Sequence, residues 1–314
     1  MSKRTFKDYA SLTARGMGMG AADIIPGVSG GTIAFITGIY EELINSIKSV
    51  NGQLLQKLMK EGVAAAWNHI NGNFLVAVFS GVLFSIFSLA RVISWLLQVY
   101  PMLVWAFFFG LIIASAWHVG KKISNWNVAI ILVMLAGAAI AAWITVATPA
   151  TTPDASWFIF VSGAIAITAM ILPGISGSFI LLLLGKYEFI LGAVKDFDII
   201  TIILFALGCV VGLISFSNVI AWFFRKFPNG TMALLTGFML GSLNKLWPWK
   251  EVLTYRINSA GEQVPLLEKS ISPFVYEQTT GNPHQLVPII LCALVGFLLI
   301  FTFDVMEARK NRRK

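Results

Sequence analysis

Two short runs in this chain combine residue types that can hold an anion away from water: Pro26-Gly27-Val28-Ser29-Gly30-Gly31-Thr32 and, 147 positions later, Pro173-Gly174-Ile175-Ser176-Gly177-Ser178. Proline fixes the approach of the chain, glycines let the backbone come close to a ligand, and serine suits the N-cap of a following helix. The start of that helix offers N–H groups and the positive end of a dipole, worth about 0.3–2 kcal/mol, and each charge-assisted hydrogen bond adds about 1.5–3. The phosphate-binding candidates are therefore Ser29, Gly30, Gly31, Thr32, Ser176, Gly177 and Ser178. Desolvating a phosphate-like anion costs more than these terms return, so a cation is expected as well. Arg91 lies in an apolar run, its counterpart in the second copy is Asn218, and guanidinium binds phosphate bidentately. The same position suits snorkelling to outer headgroups, and both readings stay open.

Asp23, Glu41 and Glu188 are the candidate proton carriers, because carboxylates at membrane depth usually face a cavity. Glu41 and Glu188 follow Tyr40 and Tyr187 in the two copies, yet lie toward the ends of their segments, where a cap or a surface position is equally open. Asp23 stands three residues before Pro26 and is replaced by Met170 in the second copy, an asymmetry at which a coupling proton could act. His69, His118 and His284 are scattered, and Cys209 and Cys292 sit in apolar runs. No metal site, disulfide framework or cofactor is expected.

The elements that must position these residues follow from composition. With 314 residues, 57% hydrophobic and 12% charged, and a mean hydropathy of +0.79, the chain has too little polar surface for a soluble globule. Near-continuous apolar runs at 74–97, 102–118, 127–149, 199–224, 231–247 and 286–303 are read as spans of a roughly 30 Å hydrocarbon core. The two motif regions instead break into pieces of about 10–16 residues, near half a bilayer each. They are read as re-entrant hairpins over 10–48 and 157–195.

The copies align without a gap from Gly16 to Lys48 and from Gly163 to Lys195, sharing Gly38 with Gly185, Tyr40 with Tyr187 and Glu41 with Glu188. A second register, at a spacing of 127, pairs Trp95 with Trp222, Pro101 with Pro228, Gly110 with Gly237 and Ser115 with Ser242. The expected fold is an all-α polytopic membrane protein of two inverted-topology repeats, 1–150 and 151–314, each a re-entrant broken-helix hairpin plus three transmembrane helices. With both termini cytoplasmic, sixteen Lys and Arg fall inside and six outside, as the positive-inside rule favours. Basic loops against anionic lipid account for the net charge of +8, and no nucleic acid is implied. No cleaved signal peptide is expected, because the basic N-terminus runs into a Gly-rich stretch holding Asp23.

Residues 51–70, with Leu54, Leu55, Leu58, Met59, Val63 and Trp67 on one face, predict a helix lying on the cytoplasmic surface or a plain connector. The polar segment 250–285 is read as an outer loop, either a lid or inert.

The run Gly-Ala-Ala-Asp-Ile-Ile-Pro-Gly-Val-Ser-Gly-Gly-Thr-Ile-Ala from Gly20 to Ala34, followed by Gly-Ile-Tyr-Glu at 38–41, resembles the bacterial PopT-type polyprenyl-phosphate transporter family. The resemblance extends over most of the chain. It implies translocation of undecaprenyl phosphate from the outer to the inner leaflet of the bacterial cytoplasmic membrane; the hairpins themselves suggest alternating access, with the phosphate held between the two loops and the tail left in the bilayer. A membrane phosphatase of the undecaprenyl-pyrophosphate type is the enzymatic alternative, but that family's loop carries Arg after the serine, where this chain has Gly30 and Gly177. A small-anion carrier is the other alternative, and a homo-oligomer is left open.

Overall fold

The computed structural model describes residues 4–25, 28–257, 261 and 263–311, with side chains through Thr302. Pro26 and Gly27 of the first motif lie outside the described residues. So do Lys3 and the terminal Arg312, Arg313 and Lys314, together with the side chains of Arg309 and Lys310, all counted above toward the charge asymmetry.

Each motif region is built of three helical pieces. In the first copy these are α1 (Phe6–Ile24), α2 (Gly30–Ile36) and α3 (Tyr40–Lys48). Thr5 opens α1 in a capping box with Asp8. The segment predicted as one surface helix over 51–70 is two, α4 (Gly52–Glu61) and α5 (Val63–His69), because Gly62 between them has φ +85. Leu55, Met59, Val63 and Trp67 are all exposed. Then come α6 (Gly72–Val99), α7 (Pro101–Gly120) and α8 (Val128–Val146). The second copy runs through α9 (Ser156–Ile171), α10 (Gly177–Leu183), α11 (Tyr187–Lys195), α12 (Ile199–Lys226) and α13 (Pro228–Ser242). The matched prolines 101 and 228 both open helices, where a missing N–H costs nothing.

Among the described residues four helices, α6, α7, α8 and α12, are long and apolar enough to cross a membrane. The run expected to span 231–247 is shorter: α13 ends at Ser242 and a 3₁₀ turn, Leu243–Leu246, follows. The all-α expectation is corrected over 250–285, the segment read from the sequence as a polar loop. That segment forms an antiparallel hairpin of β1 (Lys250–Ile257) and β2 (Gln263–Ser270), then α14 (Pro273–Thr280), capped by Ser272. Val252, Tyr255, Ile257, Val264 and Leu267 supply the β-branched and apolar content that favours strands. The final helix is α15 (Leu286–Asn311).

The described residues pack as two units. One takes the chain up to Ser94, Pro153–Leu181 and Ile199–Thr231; the other takes Trp95–Thr152, Leu182–Asp198 and the chain from Met232 onward. Each unit draws on both halves of the sequence.

Glycines set the helix pairing in both. Within the first unit, Gly16 and Gly20 of α1 lie against the backbone of Val78 and Val82 on α6, and Gly208 and Gly212 of α12 against Phe160 and Ala164 on α9. Within the second, Gly110 of α7 meets Ala293 on α15, and Gly237 and Gly241 of α13 meet Met134 and Ala138 on α8. A Cβ at any of these sites would collide with a neighbouring carbonyl. Helices that gain nothing hydrophobic by associating in lipid associate through such small-residue contacts.

Candidate functional site

The two motif loops lie against each other within the first unit. The Ser29 hydroxyl, fully buried, donates to the carbonyl oxygen of Met170 at 2.7 Å. The Gly174 N–H of the second loop donates to the Thr32 hydroxyl at 3.0 Å. Gly31 approaches the same strip of backbone so closely that a Cβ there would stand 2.5 Å from the Ile171 carbonyl oxygen. Gly174 itself has φ +85, a conformation that a side chain strains, which explains a glycine at that point of the motif.

The start of α2 is satisfied from within. Ser29 caps it by accepting the Gly31 N–H at 3.1 Å, and the Asp23 carboxylate accepts the Gly30 N–H at 2.6 Å. A carboxylate of the chain itself therefore sits where the sequence places an anion. In the second copy Met170 takes the equivalent position and has no carboxylate to offer. Ser176 and Ser178 there form a hydroxyl pair 2.9 Å apart, Ser176 buried and Ser178 exposed, beside a buried Gly177.

The structure therefore brings together Asp23, Ser29, Gly30, Gly31 and Thr32 with the turn that leads to Ser176, Gly177 and Ser178. It does not bring in the other three candidates. Arg91 is exposed on α6. Glu41 is exposed at the start of α3. Glu188, at the start of α11 in the second unit, is ion-paired with Arg256 of β1, whose guanidinium also lies 5.6 Å from the centre of the Tyr187 ring.

Three features escape the sequence reading. Glu42 is a second partly buried acid of the first hairpin, and it binds Arg4 at 2.6 Å and the Asn71 amide at 2.6 Å. Its counterpart by repeat is Phe189, so a search for matched acids passes over it. Each hairpin also breaks a second time, at Gly38 (φ +72) and Gly185 (φ +65), and α10 meets α11 at 106°. Those glycines match across the copies, and the matching of a turn residue is the signal. Finally, Lys186, counted among outer charges, is 2% exposed and donates to the Thr152 carbonyl at 3.0 Å, strapping the segment before α9 to this second bend.

Apolar helices, some long enough to cross a bilayer, together with two broken-helix loops that cap one another, define a polytopic membrane protein of the broken-helix type. The chain belongs to the undecaprenyl phosphate translocase-like family, whose model matches residues 19–264. It is 49% identical over 294 residues, 93% of this chain and 96% of the other, to a polyprenyl-phosphate transporter of Vibrio cholerae serotype O1. A polyprenyl-phosphate transporter of Staphylococcus aureus is 33% identical over 253 residues, 74% of this chain and 84% of that one. No solved structure matches the chain.

Proposed function

We propose that this protein carries undecaprenyl phosphate from the outer to the inner leaflet of the bacterial cytoplasmic membrane, holding the phosphate at the paired loops by alternating access while the tail stays in lipid. The chain is a transporter and not an enzyme. What supports the site is the mutual capping of the loops by Ser29 with Met170 and Gly174 with Thr32, because a break in a membrane helix persists only where its backbone lines protein or a wet cavity. The hydroxyls of Ser176 and Ser178 and the N–H groups of Gly30 and Gly31 are the donors proposed for the phosphate oxygens.

Asp23 gives that site a coupling step. Its carboxylate holds the Gly30 N–H, so a phosphate arriving at α2 competes with it. Protonation of Asp23 weakens that internal bond, frees the donor for the phosphate and removes a repulsive charge in one event. Arg91 stands in this reading as an outer-leaflet anchor, and Glu41 and Glu188 as structural groups at hairpin ends.

The test is leaflet exchange of labelled undecaprenyl phosphate in proteoliposomes, comparing wild type with Ser29→Ala plus Ser176→Ala. Acceleration by the wild type that the double variant loses at least tenfold supports the paired-loop site. Flux of inorganic phosphate with no movement of the lipid would make the protein a small-anion carrier instead.

A further inference from the structure

A groove of ≈ 440 Å³ opens in the second unit between α7, α8 and α13. Ile113, Trp117, Trp126, Met134 and Leu240 make it almost wholly apolar, and Lys121 is the one charged residue in its wall. The Thr236 hydroxyl, also in the wall, is already bonded to the Met232 carbonyl at 2.7 Å. Lys121 lies at the C-terminal end of α7 with its ammonium 5.3 Å from the centre of the Trp117 ring, and Lys122 is exposed beside it. An apolar groove with Lys121 in its wall and Lys122 next to it in the chain has the polarity of a single-chain amphiphile with an anionic head.

We propose that this groove is a second binding site for the polyprenyl phosphate, with the phosphate at Lys121 and Lys122 and the first isoprenoid units lying between Trp117, Trp126 and Leu240. The site rests on the transport reading above and extends it. A phosphomonoester carries about −1.5 to −2 charges at neutral pH, which two adjacent ammonium groups match; the phosphodiester of a glycerophospholipid carries one. The flat indole faces of Trp117 and Trp126 and the apolar wall suit planar isoprene units. In the orientation proposed here the lysine end is cytoplasmic, so this is where the lipid rests after its headgroup has crossed, before an enzyme that glycosylates or phosphorylates the carrier takes it.

The test uses purified full-length protein in phosphatidylethanolamine nanodiscs and a polyprenyl phosphate with a diazirine on an isoprene unit near the phosphate. Crosslinked peptides are mapped, with leaflet transport measured in parallel. The expected result is labelling within 113–126 and 236–240, displaced by unlabelled polyprenyl phosphate and reduced tenfold or more by Lys121→Glu with Lys122→Glu, two exposed positions. Leu240→Trp, which fills the groove, lowers the labelling independently. Displacement by phosphatidylglycerol just as readily would mark an ordinary boundary-lipid position and overturn the site. Transport by wild-type protein without labelling here would overturn the groove alone. Labelling here without transport would leave the lipid site standing and overturn the transport reading.

Discussion

Asp23 shows how one residue can give two readings. In the sequence it is an acid before a Pro-Gly break with no acid in the second copy; in the structure it is the group that caps α2 through Gly30. Both follow from one property, a carboxylate aimed at the N–H groups of a helix start. Asp23→Asn keeps an acceptor oxygen but cannot exchange a proton, so the variant is expected to fold and to lose the pH dependence of transport. A pH–rate profile in proteoliposomes, unchanged from wild type, would remove Asp23 from the coupling role. Ser29 behaves differently, because its hydroxyl both caps α2 and bonds the other loop. Ser29→Ala alone is expected to cost about 1–2 kcal/mol of stability, the range of a lost N-cap, read from the shift of thermal unfolding in detergent. The motif serines and Asp23 were legible because residue type and spacing carry their chemistry. Glu42 was not, because its partners Arg4 and Asn71 lie 38 and 29 positions away and nothing local announces them.

At the scale of elements, apolar length made the long helices legible, whereas the strands β1 and β2 were hidden in a polar segment whose alternation is broken by register shifts near Val252 and Thr254. Their docking rests on buried charge. Lys250 donates to the Lys245 carbonyl at 2.7 Å, lies 4.6 Å from the centre of the Trp105 ring, and shares the Glu268 carboxylate with Lys245. Burial lowers the Lys250 ammonium to about 8, with Glu268 pulling the other way. Desolvation pushes the Glu268 carboxyl up, but the charges of Lys250 and Lys245 outweigh it and hold it below its ordinary value of 4.5. For Glu268 the docked form binds fewer protons, so its contribution is present above about 4.5 and is lost as pH falls through the lower docked value. For Lys250 the docked form also binds fewer protons, so docking strengthens as pH rises from about 8 toward 10.5. Hydrogen exchange of the β1–β2 amides, corrected for intrinsic rates, is expected to show protection falling in acid and rising in mild alkali. Glu268→Gln leaves two lysines without their counter-charge and is expected to loosen the strands by about 3 kcal/mol, whereas Lys250→Met, which removes a buried charge at similar volume, costs far less. Equal exchange in both variants would show that Trp247 and Trp249, through their bonds to Ile271 and His284, hold the strands unaided.

For the whole molecule the question is how the repeats are related. In the first unit the glycine-mediated pairs stay within a copy, α1 with α6 and α9 with α12, while α3 packs on α12 across copies; in the second they cross between copies, α7 with α15 and α13 with α8. The matched glycines carry the exchange: Gly110 meets α15 and Gly237 meets α8. Reciprocal contacts of this kind are what a two-fold axis between repeats produces, and three crossings per copy would set that axis in the membrane plane. The second crossing of the second copy is a demanding one. The fifteen residues of α13 and the 3₁₀ turn after it rise about 30 Å together, enough for the hydrocarbon core. Inverted repeats would place equivalent positions on opposite faces of the membrane. Ser49 and Asp196 are such a pair, 147 residues apart at the ends of α3 and α11. With Cys209 and Cys292 replaced by alanine, Ser49→Cys is expected to react with an impermeant maleimide only after the cytoplasmic face is opened, and Asp196→Cys in intact spheroplasts. Labelling of both from one face would mean parallel repeats, and the two motif loops would then enter the membrane from the same side.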